Sequence, residues 1–158
     1  MSRFIVLLYL FFSMAHLVAQ NSKDTRDSLR GISAVRVVVE DVDSDAAKDG
    51  LTTEQLRTDV ELRLRRAGLK VDSENYLLPY VYVRVQTINN EGLYACGVEV
   101  SLTQWVTAKI SHADVLAKTW SVNGIAIVGA SKMSAGVRGN VADFVDKFLN
   151  AWLEVNPK

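Results

Sequence analysis

Two histidines, His16 and His112, and one cysteine, Cys96, are all that the 158 residues offer for nitrogen or sulfur ligation of a metal ion and for a nucleophilic relay. Zinc sites and nucleophile–His–acid triads need such groups at set spacings, and neither histidine has a spaced His or Cys partner. Ser111, His112 and Asp114 stand close together, a grouping that is also ordinary turn composition. The acidic run Glu40-Asp41-Val42-Asp43-Ser44-Asp45, with Asp49, begins like a calcium loop. The sixth place of such a loop requires Gly and the twelfth a bidentate Glu, whereas Ala46 and Thr52 stand there. A helix N-terminus just downstream accounts for acidity in this loop, with weak divalent-cation binding as the alternative. Gly124-x4-Gly129 opens like half a phosphate loop, but Ala130 and Ser131 occupy the places of the Lys and Ser/Thr that must follow. These readings predict a non-enzymatic domain with no catalytic residues, no metal site and no cofactor. An enzyme here would have to work with carboxylates alone.

Two surfaces have binding chemistry. On the run from Tyr80 to Ile88, Val81, Val83 and Val85 alternate with Tyr80, Tyr82, Arg84 and Gln86. The face opposite the valines gathers Tyr80, Tyr82, Arg84 and Trp105 among Gln86, Glu99, Ser101 and Thr103, and Trp120 joins it if its strand keeps the matching phase. Aromatic residues mixed with Arg and hydroxyls are typical of contact surfaces. They also suit an exposed pleated sheet for packing reasons alone, and both readings stand. The second surface is Lys132 and Arg138, with Gly136 and Gly139, ahead of a helix read from Asn140. Its amides could hold an anion, the alternative being a flexible Gly-rich connection.

The elements that position these groups follow from periodicity. Ile32 to Glu40 alternates as a strand, with Val35, Val37 and Val39 on one face. Thr52 as N-cap with Gln55 at N3 spells a capping box, and Leu51 and Leu56 can form a hydrophobic staple. Leu56, Val60 and Leu64 make the stripe, Ala67 joins it, and Gly68 ends the helix. Leu69-Lys70-Val71 is a short extended piece. Three meandering strands follow: Tyr80–Ile88, a tight turn at Asn89-Asn90-Glu91-Gly92, Leu93–Ile110, and Val115 to about Val128, bent at Asn123-Gly124. Cys96 falls in an apolar alternation and reads as a small buried hydrophobe; being the sole cysteine, it has no intramolecular partner. Val141, Phe144, Val145, Phe148, Leu149 and Trp152 define a final amphipathic helix, with Pro157 beyond it. Each main strand has one apolar face and each helix one apolar stripe. The expected fold is therefore α+β, a two-layer sandwich in β-α-β-β-β-β-α order. Its sheet is mainly antiparallel, with two helices packed on one face.

The amino terminus reads as an address. Arg3 precedes an apolar run from Phe4 to Phe12, too short to span a bilayer, as in a secretory signal peptide. Ser13-Met14-Ala15 and Leu17-Val18-Ala19 both fit the cleavage rule; Ala19 leaves the better-formed c-region, and Ala15 stays open. No Cys follows either site, so no lipid anchor is expected. The domain plan is a signal peptide at 1–19, a flexible polar lead-in at 20–30 and one domain at 31–158. Loss of Arg3 with the leader leaves 17 bases against 18 acids, a balance that argues against nucleic-acid and anionic-membrane binding, and with the leader cleaved no stable membrane anchor is expected.

With that leader, "GISAVRVVVEDV", the "GLTTEQLRTDVELRLRRAGLKV" helix, the long meander and the final helix resemble small exported bacterial envelope proteins of unknown function. The layout is similar to the TolB N-terminal domain and to anticodon-binding-like periplasmic modules, including curli-secretion and penicillin-binding-protein activator components. The resemblance covers about residues 31–155 and carries no site residues with it. It implies a non-enzymatic protein-interaction module of the cell envelope, periplasmic or else extracellular, meeting a protein partner or a second copy of itself. The alternative function is a small-molecule or lipid carrier with a cavity between helices and sheet.

Overall fold

The computed structural model describes residues 22–157; the leader read at 1–19, its cleavage sites and His16 lie outside them. Strand β1 (Ala34–Val39) buries Val35, Val37 and Val39 and leaves the alternate residues half-buried, as its period-two pattern requires. Helix α3 (Thr53–Ala67) starts in the expected capping box. The Thr52 hydroxyl accepts from the Gln55 amide at 3.2 Å, and Gln55 Oε1 accepts from the Thr52 amide at 3.3 Å. Leu56, Val60 and Leu64 are buried, and Gly68 caps the end. Strand β2 is only Lys70–Val71.

The meander comprises β3 (Tyr80–Asn90), β4 (Leu93–Thr107) and β5 (Asp114–Gly129). Glu91 and Gly92 connect the first two with φ of 51° and 85°, the positive values that the twist of a two-residue hairpin turn prefers. Strand β5 runs on through Asn123-Gly124, where a bend was expected. The five strands form an open sheet in the order β2-β1-β3-β4-β5. Strand β1 is parallel to β2 and β3, and the longer β3–β4 and β4–β5 pairings are antiparallel. Helix α4 (Met133–Val155) lies against β4 and β5, α3 lies against β1 and α4, and their buried residues join the valines of the sheet in one core. The fold is α+β.

Three parts differ from the sequence reading: the lead-in, the acidic run and the start of the final helix. The stretch taken as a flexible lead-in carries helix α1 (Lys23–Asp27), followed by Leu29 with no exposed surface. The end of α4 fastens this region. Asn156 donates to the Leu29 carbonyl at 2.9 Å and accepts from the Gly31 amide at 2.7 Å, and the Trp152 indole N–H donates to the Ile32 carbonyl at 2.8 Å. Polar composition hid one anchoring leucine. A further short helix, α2 (Ser44–Lys48), fills part of the acidic run.

The final helix starts at Met133, after a 3-10 turn at Ala130–Lys132, and not at Asn140. Met133 and Val137 extend its buried stripe by two turns. Glycine permits close seating: a Cβ on Gly136 would lie 2.8 Å from Val128 Cγ1, and one on Gly124 would lie 2.9 Å from Phe144 Cζ. Gly139, by contrast, faces open space. Alanine at the two helix glycines should therefore act with opposite sign. Gly139→Ala gains helix propensity and should stabilise by about 0.5–1 kcal/mol. Gly136→Ala gains the same propensity but overpacks a β-branched neighbour, for a net loss of about 1 kcal/mol. Urea denaturation of both variants measures the two signs.

Candidate functional site

The sheet face turned away from the helices is built from paired residues across four strands. Arg36, Tyr80, Thr103 and Lys118 form one row, and Val38, Tyr82, Ser101 and Ser121 the next. Arg84, Glu99 and Asn123 continue it, with Glu40 beside Arg84. Gln86, Gly97 and Ile125 follow, and then Ile88, Ala95 and Ile127.

The anticipated contact residues fall on this face with one exception. Tyr80 and Tyr82 meet edge to face at 6.4 Å, and Arg36 sits over Tyr76 at 4.3 Å and more distantly over Tyr80. Trp105, opposite Leu116, is 59% exposed. Trp120 is on the other side, buried in the core and edge-on to Phe148 at 5.3 Å. The cause is a bulge in β5. Leu102 pairs with Trp120 but Thr103 with Lys118, so Thr119 is an extra residue and the outward phase switches.

The centre of the face is charged. Arg84 Nε lies 2.9 Å from Glu40 Oε2 without the alignment of a hydrogen bond, and Lys118 pairs with Glu99. Burial first, and the Glu40 carboxylate second, hold the Tyr82 phenol above its usual range. Ser101 is fully buried beneath this belt, and its hydroxyl has no hydrogen-bond partner among the described residues. A shallow hollow of about 240 Å³ floored by Gly97 lies between Arg84, Asn123 and Ile125.

Beyond the belt the face becomes apolar, a feature the sequence reading missed. Ile88, Leu93, Ile125 and Ile127 are 75%, 54%, 83% and 71% exposed. The available signal was Ile88 continuing the phase of Tyr80 and Tyr82, and Ile125 and Ile127 two residues apart. Only the register shows that they adjoin.

The anion site read at Lys132 and Arg138 loses its geometric basis. Arg138, Gly136 and Gly139 lie within α4, and Arg138 donates to both oxygens of Asp59 on α3, at 2.6 and 3.0 Å. That pairing raises the guanidinium pKa. Lys132 is exposed at the end of the 3-10 turn.

Three carboxylates of the acidic segment are engaged separately. Asp43 accepts from the Thr87 amide and hydroxyl, both at 2.8 Å, Asp45 pairs with Lys48, and Asp49 accepts from the Tyr94 hydroxyl at 2.6 Å. The last contact, then burial, push the Tyr94 phenol up to about 12. Between helices and sheet, Tyr94, Leu102, Met133 and Phe148 fill the space a carrier would need to keep open. Cys96 is buried there beside Met133, and burial pushes its thiol up.

No family model and no curated protein matches the chain. Among solved structures it is similar to a PelC dodecamer from Paraburkholderia phytofirmans, at 17% identity and TM-score 0.45, over 78% of this chain and 89% of that one. It is also similar to a minor lipoprotein from Acinetobacter baumannii, at 12% identity and TM-score 0.34, over 75% and 91%. Rare lipoprotein B from Shewanella oneidensis gives 14% identity and TM-score 0.35, over 77% and 96%. These likenesses do not show the TolB-like layout, and they say nothing of what this chain binds.

Two measurements check the site. A double-mutant cycle on Asp59→Ala and Arg138→Ala should give a coupling of about 1 kcal/mol, as for a partly exposed, doubly bonded pair. The Tyr94 pKa is raised on folding, so its contribution is complete below pH 10 and is lost as pH climbs towards 12. Asp49→Asn should lower the pH at which this phenol ionises, read by ultraviolet titration.

Proposed function

We propose that this chain is a non-enzymatic protein-interaction module of the bacterial cell envelope, exported by its leader and working in the periplasm. The observation that carries the reading is the outer sheet face. Its two ends, around Tyr80, Tyr82 and Trp105 and around Ile88, Ile125 and Ile127, hold aromatic and aliphatic side chains at the surface. A monomer gains nothing by displaying such a surface, whereas a partner that covers it removes apolar area from water.

The charged belt supports the same reading. Glu40–Arg84 and Glu99–Lys118 are half-exposed pairs that add little to stability, but they fix polar groups between two apolar ends. A partner must match that order of chemistry along the strands, which gives selectivity. The filled interior gives the carrier reading no corresponding support.

The test is capture from the envelope fraction with the full chain as bait, compared with Tyr82→Ala/Trp105→Ala. Aromatic anchors commonly contribute more than about 1 kcal/mol each, so the double variant should retain a partner at least about tenfold less well, at a temperature where its circular dichroism shows it folded. Equal capture by both baits would refute the reading of this face.

A further inference from the structure

The outward edge of β5 is the feature that this function leaves open. The strand ends the sheet order, so one of its two edges has no described strand beside it. Near Thr119 that edge is occupied: the bulge lies there, α1 approaches, and the Ser28 hydroxyl donates to the Thr119 carbonyl at 3.4 Å. Beyond it, from Ser121 to Gly129, the direction of the backbone groups can be read. The Ala130 amide donates to the Gly92 carbonyl at 2.8 Å, and the register to β4 is regular from there to Trp120. Even-numbered residues therefore bond to β4, and the amides and carbonyls of Ser121, Asn123, Ile125, Ile127 and Gly129 point away from the sheet.

Edges of this kind are ordinarily blunted by charge, proline or a bulge. The segment Val122-Asn-Gly-Ile-Ala-Ile-Val-Gly-Ala130 has none of these, and it presents Ile125 and Ile127 on its outer face. It is also complementary to itself. Turned antiparallel about Ala126, Ile125 comes opposite Ile127, Asn123 comes opposite Gly129, and every residue that exchanges bonds is one whose groups point outward. No charge meets a like charge, because the nearest β5 charge, Lys118, lies outside the paired stretch and is held by Glu99.

We propose that two copies of this chain join through β5 as an antiparallel pair about a two-fold axis at Ala126. The Ile88–Ala95–Ile127 row of each copy then continues into the Ile125–Gly97–Gln86 row of the other, and the two sheets become one. The proposal rests on the reading of the chain as an interaction module and names one partner for it. A two-fold interface of this type closes on itself and stops at the dimer.

Sedimentation of the full chain over about a hundredfold concentration range tests it. The expected result is a dimer that dissociates on dilution. Ile125→Lys charges the apolar row, and Ile127→Pro removes an outward amide without touching the β4 ladder. Each should weaken the dimer at least about tenfold, with the circular dichroism of the monomer unchanged. In a Cys96→Ala background, Ile125→Cys/Ile127→Cys should oxidise to a covalent dimer, whereas Ser121→Cys/Asn123→Cys, which this register keeps apart, should not. A monomer at every concentration, a dimer indifferent to both edge variants, or a larger oligomer overturns the proposal. If partner capture through Tyr82 and Trp105 survives that result, only the β5 pairing fails; if capture is also lost, the interaction reading fails with it.

Discussion

Nine side chains of α4, from Met133 to Trp152, are buried where the helix packs on β4, β5 and α3, and the rest of the molecule is arranged around that contact. Helix and sheet can approach so closely because glycine stands at both ends of the contact. Gly136 lies over Val128, and Gly124 lies under Phe144. Burying a side chain the size of Phe148 contributes about 1.5–3 kcal/mol, so this one interface is large beside any ion pair in the chain. Its far end also fixes the amino-terminal region, since Trp152 and Asn156 supply the partners for the backbone around Leu29 and Ile32.

Because both long helices use the same face of the sheet, no described element covers the other face. Its centre is made compatible with water by Glu40, Arg84, Glu99 and Lys118, and its ends are not. The function proposed for the chain follows from this one-sidedness. An interior packed with Tyr94, Trp120 and Phe148 directs binding to the exterior.

The bulge at Thr119 connects these two faces. A single additional residue moves Trp120 into the core, where it meets Phe148, and places Ile125 and Ile127 outside. Without it, the strand would bury the isoleucines and expose the indole. The same irregularity lies where α1 meets β5, so the strand is covered on one part of its edge and open on the other.

Much of the architecture was legible in the sequence because its signals are local. The Thr52–Gln55 capping box, the valine alternation of β1 and β3, the Glu91-Gly92 turn and the apolar stripe of α4 are set by neighbours a few residues apart. Four features depended on partners remote in the sequence, and tertiary structure alone decided them. Leu29 is anchored by Asn156 and its neighbours, α4 extends back to Met133 with Gly136 leaving room for Val128, and Arg138 turns to Asp59 on another helix. Trp120 takes its side from a bulge in the pairing with β4. Periodicity within a segment states which residues share a face; only the register between segments determines which way that face turns.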